Sequence, residues 1–320
     1  MDRFKNILVI CDGTRLDRDV IDRAKPLAVE NGAAVTLVDV VATAPGELAR
    51  LFAALPGDHA HELEEQIIAT HRARLQGLAQ PLVAAGISTA EVVRQGTPFI
   101  EIIGHALHFG CDFILRSGSG PRNGERALDG LDMHLIRKSP VPFLLWRGQT
   151  GAGLKRVLAV VDPNDSDPHR NAMAHDVMKL ATSFAAHDAA ALDVLDVWHV
   201  PEEQVLRHQL EADLKADADW LIERVESSVS RDLDLLVARY AGVGAQIQTH
   251  QAKGSRQAIV PEHVARHGID LVVMGSLSRP DVPGYLVDED VEMILNRVDC
   301  SVLTVKPAGF DTPVRPSAAA

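Results

Sequence analysis

The chain has 320 residues, of which 46% are hydrophobic and 24% charged, and its formal net charge is −12. That length suits two domains of about 150 residues, and the composition is typical of a globular protein. The acidic balance excludes the basic face that a nucleic-acid partner needs. No apolar run reaches the roughly 18–20 residues of a membrane span, and the amino terminus does not read as a signal peptide. The three scattered cysteines give no disulfide framework, so we expect a cytoplasmic protein.

Strands and helices alternate through the first half of the chain. Apolar runs predict strands at 7–11, 34–41, 91–95, 113–117 and 143–146. Apolar residues at helical spacing predict helices at about 17–31, 61–85, 97–109 and 129–138. Such alternation is typical of a parallel sheet with helices on both faces.

The same alternation restarts after the glycine-rich stretch 148–153, which we interpret as a linker. The two halves correspond at 6–12 with 156–162 (an offset of 150), Asp39 with Asp196 (157) and Asp112 with Asp270 (158). Because the offset drifts only by loop-sized amounts, we predict two copies of one unit, at 1–150 and 151–308. The remaining segment, 309–320, is rich in proline and alanine, and we expect a flexible tail there.

Each copy places polar residues where a strand ends. The first strand runs into Asp12 in one copy and into Asp162 in the other, and a carboxylate there can accept hydrogen bonds from a ligand's ring amine or ribose hydroxyls. The alternative is that each aspartate caps the turn or helix that follows. In the second copy a strand at 271–274 runs into the small-residue loop 275–278, whose backbone N–H groups favour anions. By themselves these features leave both interpretations open.

Four segments together resemble the universal stress protein family, in its tandem E-type form. They are the opening 6–14, Asp-Met-His-Leu-Ile-Arg-Lys-Ser-Pro at 132–140, Val-Val-Met-Gly-Ser at 272–276, and 306–314. The resemblance covers nearly the whole chain. It implies an α/β fold with two tandem universal-stress (adenine nucleotide alpha hydrolase-like) domains, each a five-stranded parallel sheet of order 3-2-1-4-5. By analogy with single-domain dimers of the family, it also implies that the two halves pair through residues 142–147 and 301–306.

The resemblance implies ligand-pocket positions in both copies, namely Asp12, Thr14, Val40, Ser117, Gly118, Gly120, Asp162, Asn164, Val197, Gly275, Ser276 and Ser278. ATP-binding members carry the pattern G-x-x-G-x9-G-S/T. In the second copy Gly275 keeps the first position, but Ser278 replaces the second glycine and Asp288 with Glu289 replaces the final pair. Carboxylates beside a triphosphate repel it by on the order of 1 kcal/mol per close pair. Since Ser117 replaces the first glycine of the other copy, both phosphate loops are degenerate.

We therefore expect a stress-response regulatory or binding protein with no catalytic site, no cofactor and no metal. Two alternatives stay open: ATP binding with slow hydrolysis, using Asp12 or Asp162 at the base, and carriage of a hydrophobic, lipid-like ligand beneath the amphipathic helix predicted at 202–240. The segment 58–62 holds two histidines between acids, and we interpret it as a solvated loop in preference to a metal site. The sequence leaves the small-molecule ligand unidentified and a further homo-oligomer open.

Overall fold

The computed structural model describes residues 4–42, 59–118, 128–148, 151, 153–200, 203–208, 212–242, 244–276 and 289–315. The chain divides into two compact units, unit 1 at 1–152 with 309–320 and unit 2 at 153–308. Among the described residues, no helix has the length and apolar character that crossing a membrane requires.

Unit 1 is a parallel sheet of five strands connected by helices, as the sequence predicted. Its strands are β1 (Asn6–Ile10), β2 (Ala34–Ala42), β3 (Thr89–Gly96), β4 (Phe113–Ser117) and β5 (Phe143–Trp146), in the order β3-β2-β1-β4-β5. Its helices are α1 (Asp17–Asn31), α2 (His59–Val83), α3 (Pro98–Phe109) and α4 (Gly130–Lys138). Helices cover both faces of the sheet, which explains why its central strands are continuous apolar runs without alternation.

Unit 2 repeats this topology. Its strands are β6 (Arg156–Val161), β7 (Ala191–Trp198), β8 (Ile247–Lys253), β9 (Leu271–Gly275) and β10 (Ser301–Val305), in the order β8-β7-β6-β9-β10. Its helices are α5 (Pro168–Asp188), α6 (Glu203–His208), α7 (Ala212–Ala238), α8 (Arg256–His267) and α9 (Glu289–Leu295). The helix predicted at 202–240 therefore takes the form of α6 and α7. Each unit has the strand order 3-2-1-4-5.

A pair of corresponding aspartates fixes the start of the first strand in each unit. Asp112 and Asp270 each precede the fourth strand of their unit. Each accepts hydrogen bonds of 2.6–3.1 Å from the backbone N–H groups that begin the first strand, namely those of Lys5 and Asn6 for Asp112, and of Lys155 and Arg156 for Asp270. The repeat thus extends from the sequence pattern to individual hydrogen bonds.

The segment that follows β10 differs from the predicted flexible tail. Residues 309–315 lie against unit 1, with Thr312 and Val314 buried. The Thr312 hydroxyl donates a 2.6 Å hydrogen bond to the carbonyl of Lys138. Burial of the Val314 side chain and this hydrogen bond offset the entropy lost when the segment is ordered. Residues 316–320 lie outside the described residues.

Candidate functional site

The predicted ligand site lies where the strand order reverses in each sheet. In an open parallel sheet, ligands bind in the crevice beyond the carboxyl ends of the two strands at that point. These strands are β1 and β4 in unit 1, and β6 and β9 in unit 2. Asp12 and Asp162 follow β1 and β6 closely, so both predicted acids lie at this edge. We call these two places the switch-point sites.

In unit 1 the switch-point site is filled by the side chain of Arg116 on β4, which is only 6% exposed. Its guanidinium donates to Asp12 and to Asp129, each at 2.7 Å, and it also pairs with Asp132. Asp129 in turn caps α4 by accepting a 2.8 Å hydrogen bond from the backbone N–H of Asp132. One cation therefore joins the acid that follows β1 to two acids at the start of α4.

The charges of this group do not suit a phosphate. Burial raises the pKa of Asp132 to about 6, and the nearby Arg116 offsets only part of that effect. Burial also opposes ionisation of Asp129, but the hydrogen bond and charge of Arg116 hold the pKa of that carboxyl below its ordinary value. At neutral pH the carboxylates outweigh the single guanidinium, so a bound phosphate would meet net negative charge.

A second cation covers the loop that follows β1. Arg74 on α2 donates to the carbonyl of Cys11 at 3.1 Å and pairs with the buried Asp39, which also pairs with His71. A Cβ placed on Gly13 would lie 2.0 Å from Nη1 of Arg74, and Gly13 has a φ of +82°. The left-handed backbone favours glycine at this position, and the guanidinium of Arg74 occupies the space beside it.

In unit 2 two arginines reach the switch-point site from helices. Arg170 on α5 pairs with Asp162, and Nη2 of Arg256 on α8 lies 2.8 Å from the other oxygen of the same carboxylate. The side chain of Met173 packs against Gly275, where a Cβ would lie 2.7 Å from both Cγ and Sδ of the methionine. The glycine that the sequence placed in a phosphate loop thus contacts an apolar side chain.

A small cavity remains between these groups in unit 2. It holds about 30 Å³ and is lined by, among others, Asp162, Arg170, Met173, Arg256 and Gly275. One water molecule occupies about 30 Å³ in the liquid, whereas ligand pockets span about 300–1,000 Å³. Residues 277–288, which follow β9, lie outside the described residues. The cavity among the described side chains is therefore of the size of a water molecule.

Two backbone N–H groups at the predicted phosphate positions donate hydrogen bonds to carbonyls of the neighbouring strand. The N–H of Gly118 donates to the carbonyl of Trp146 at 2.6 Å, and the N–H of Ser276 donates to the carbonyl of Val305 at 2.8 Å. Ser276 is fully buried, and its hydroxyl accepts a 2.8 Å hydrogen bond from Nζ of Lys306. Each of these two N–H groups therefore already donates to a backbone carbonyl, and it is not available to a phosphate. The predicted positions Gly120, Ser278 and Asp288 lie outside the described residues, as do the side chains of Glu289 and Asp290.

The other predicted positions divide between turns and strands. The Thr14 hydroxyl donates to Asp17 at 3.3 Å, and the Asn164 side chain accepts a 3.0 Å hydrogen bond from the N–H of Ser166. Both contacts organise the turn before a helix. The remaining three are strand residues, of which Ser117 and Val197 are buried and Val40 is half-buried.

Asp196, near the end of β7, is a buried carboxylate that the sequence marked only as part of the repeat. It is 1% exposed, and its oxygens have no hydrogen bond of good geometry among the described residues. Burial, together with the nearby Asp162, raises the pKa of Asp196 to about 7, against the smaller opposing effect of Arg256 and Arg170. This carboxyl therefore changes its protonation near neutral pH.

Both halves of the chain match one description, the universal stress protein family, at residues 3–147 and 153–306. Universal stress protein E of Escherichia coli (strain K12) is 22% identical over 317 residues, which cover 98% of each chain. A universal stress protein E homolog of Haemophilus influenzae is 19% identical, over 97% of this chain and 99% of the relative.

Two solved structures show a similar fold. A candidate universal stress protein from Pseudomonas aeruginosa UCBPP-PA14 has a TM-score of 0.71 at 20% identity, covering 95% of this chain and 94% of that one. A universal stress protein from Archaeoglobus fulgidus DSM 4304 has a TM-score of 0.60 at 16% identity, covering 94% and 98%. At such identities the likeness concerns the fold alone.

Proposed function

Because this chain belongs to the universal stress protein family and carries two of its domains in tandem, we propose that it is a cytoplasmic stress-response protein that acts by binding or regulation, without nucleotide and without catalysing a reaction. One observation carries this proposal. At both switch-point sites, arginines of the chain itself neutralise the acid that a nucleotide would need, Asp12 in unit 1 and Asp162 in unit 2.

Displacing the arginine of unit 1 would be costly. In unit 1, a ligand that took the hydrogen bonds of Asp12 would have to move Arg116, which is buried and also holds Asp129 and Asp132. Breaking a buried ion pair by removing one partner typically costs about 3–5 kcal/mol. Nucleotide binding would need to supply that free energy before it gained any affinity.

The alternative of a lipid-like ligand beneath the long helix of unit 2 gains little support from the lining of that region. A groove of about 790 Å³ lies between α7 and β8. Six of its eight lining residues are polar or charged, namely Glu226, Ser227, Ser230, Arg231, Asp234 and Gln251, and the other two are Leu235 and Ala238. A hydrophobic ligand bound there would remove water from these polar groups. It would offer them no hydrogen bonds in place of those that they make to water.

Thermal unfolding of the full chain in Mg-ATP tests the proposal. A ligand present at 100 times its Kd raises the free energy of unfolding by about 2.7 kcal/mol. We expect the Tm in about 10 mM Mg-ATP to equal that in a buffer of matched magnesium and ionic strength. A rise of several degrees, abolished by Asp162→Asn or by Asp12→Asn, would establish nucleotide binding and overturn the proposal.

Native mass spectrometry of freshly purified protein, followed by denaturation, provides a second test. We expect no released adenine nucleotide, whereas release of ATP or AMP would contradict us and release of a lipid would favour the carrier alternative. The mass of the native species also reports any homo-oligomer. Pairing of the two halves through residues 142–147 and 301–306 stays a prediction within this proposal.

A further inference from the structure

A group of three histidines and one aspartate lies in unit 2, on the face of the sheet that α8 covers. Asp193 is on β7, His250 is on β8, and His263 and His267 are on α8. Asp193 pairs in register with Gln248, so His250 lies two positions further along and on the same face. Helix residues four apart also share a face. We call these four residues the Asp193 cluster.

The Asp193 cluster is separate from the switch-point site. Asp193 is the third residue of its strand, and His267 is the last residue of a helix that returns antiparallel to the strands. The cluster therefore lies toward the amino ends of the strands, whereas Asp162 lies beyond a carboxyl end. None of the four residues lines the cavity beside Asp162.

Three histidine nitrogens face one carboxylate oxygen. Oδ2 of Asp193 lies 3.3 Å from Nε2 of His263, 3.7 Å from Nε2 of His250 and 3.9 Å from Nδ1 of His267. One ligand atom from each of Asp193, His250 and His263 lies within 4.8 Å of the others. Four side chains from three elements thus converge on one point.

Hydrogen bonding within the chain accounts for only one of these contacts, the 3.3 Å hydrogen bond between Nε2 of His263 and Oδ2 of Asp193. Asp193 is fully buried, and among the described residues its Oδ1 has no hydrogen-bond partner, nor has Nε2 of His250. A charge-assisted hydrogen bond is normally about 2.7–2.9 Å long, and a buried carboxylate without such bonds is costly. Every contact of Asp193 with the cluster is 3.3 Å or longer.

The spacing fits coordination to a common ion. Nitrogen and oxygen ligands lie about 2.0–2.2 Å from a tetrahedral Zn²⁺, which places two ligand atoms about 3.3–3.5 Å apart. The separations of Asp193 Oδ2 from His263 and His250, 3.3 and 3.7 Å, are close to that range. We propose that Asp193, His250 and His263 form a binding site for a divalent first-row transition metal ion, with Zn²⁺ as its probe. Imidazole and carboxylate are ligands that such ions accept.

Arg156 competes with the metal ion for Asp193 and determines whether His267 can serve as the fourth ligand. Its Nη1 lies 3.7 Å from Oδ2 of Asp193 and 3.4 Å from Nδ1 of His267. With the ion bound, the guanidinium would be repelled, and its side chain is 30% exposed, so it can turn toward water. That movement frees His267 to complete the site. The arginine and the metal therefore compete for Asp193.

Unit 1 supplies an internal comparison. By the strand registers and the offset of 158 on α8, the positions of Asp193, His250, His263 and His267 correspond to Thr36, Val92, His105 and Phe109. Unit 1 has the same topology with neither the acid nor two of the histidines. The fold therefore does not require the cluster, which weakens an explanation based on packing alone.

The test is a Zn²⁺ titration of the metal-free full chain in competition with a chromophoric chelator. We expect one site that is lost in His250→Gln and in His263→Gln. Because removing outer-shell partners alone costs about 10–100-fold in metal affinity, loss of a ligand should weaken binding by at least about 100-fold. His105→Gln removes the corresponding histidine of unit 1 and should leave the affinity unchanged. Arg156→Gln should raise it.

A second measurement does not depend on variants. Co²⁺ added to the metal-free wild-type chain should give the intense visible absorption of a tetrahedral site, and Zn²⁺ should displace it. Absence of Zn²⁺ binding, or binding that survives both histidine variants in their folded state, would overturn the proposal. So would the weak spectrum of octahedral Co²⁺. Circular dichroism and the Tm confirm that each variant is folded before its affinity is compared.

Discussion

The two units pair their corresponding aspartates, Asp12 and Asp162, with arginines from different elements. In unit 1, Arg116 reaches Asp12 from a neighbouring strand; in unit 2 the corresponding strand position is Met274, and Asp162 is instead held by Arg170 and Arg256 from helices. The repeat thus keeps the acid and its compensation while the source of the positive charge differs. A buried or half-buried carboxylate needs a counter-charge, and the fold can provide it from several elements.

The second strands differ more. Asp39 in unit 1 pairs with His71 and Arg74, whereas the corresponding Asp196 in unit 2 has a pKa raised to about 7 by burial and by Asp162. Unit 1 therefore gives this carboxylate two ion-pair partners, and unit 2 holds one that takes up a proton near neutral pH. Corresponding positions in a repeat need not have corresponding partners.

The largest effect should follow from making unit 1 resemble unit 2. Arg116→Met leaves Asp12, Asp129 and Asp132 without their shared cation, and we expect the free energy of unfolding to fall by about 3–5 kcal/mol. Hydrogen exchange of peptides from β1 and β4 measures this loss in unit 1 separately from unit 2.

Arg170→Met is the matched control for that experiment. Asp162 keeps its second partner, Arg256, in this variant, so unit 2 should lose about 1 kcal/mol or less. Equal losses in the two variants would show that Arg116 does not have the central role that its contacts indicate.

A smaller effect of opposite sign is expected at Asp196. Its pKa is raised from 3.8 to about 7 in the folded chain, so folding penalises the ionised form. That cost is fully present above pH 7 and disappears as the pH falls toward 4. We expect Asp196→Asn to raise the free energy of unfolding by about 1–3 kcal/mol at pH 8. Urea unfolding of the wild type and the variant at pH 8 and at pH 5 measures the difference in the free energy of unfolding at each pH.

Asp39→Asn provides the contrast at the corresponding position of unit 1. It leaves Arg74 and His71 without their carboxylate, so we expect destabilisation at pH 8 where Asp196→Asn stabilises. A change of stability in the same direction in both variants would contradict the claim that Asp39 stabilises unit 1 whereas ionised Asp196 destabilises unit 2.

Most of the fold follows from patterns within the sequence, because apolar runs and helical spacing are local. The sequence also placed Asp12 and Asp162 correctly at the strand ends. It did not predict their partners, since Arg116 lies 104 positions from Asp12 and pairing at that distance is set by packing. The available signal was an arginine directly after three apolar residues of β4, where β9 has methionine.

The Asp193 cluster was missed for a similar reason. His263 and His267 have the four-residue spacing that suits one helix face, but Asp193 and His250 come from strands whose register no local pattern supplies. The acid falls outside the repeat, because the corresponding residue of unit 1 is Thr36, and each histidine alone reads as an ordinary core or surface residue. Only the assembled sheet brings them to one point.

The smallest effect tests the part of the comparison in which the units agree. Asp112 and Asp270 each accept two backbone hydrogen bonds at the start of the first strand, with distances of 2.6 and 3.1 Å for one and 2.7 and 2.9 Å for the other. Since both aspartates are partly solvated, Asp112→Ala and Asp270→Ala should each lower the free energy of unfolding by about 1–2 kcal/mol. Exchange rates of the four amides report each loss locally. A large effect in one unit alone would mean that these equivalent bonds support sheets of unequal stability.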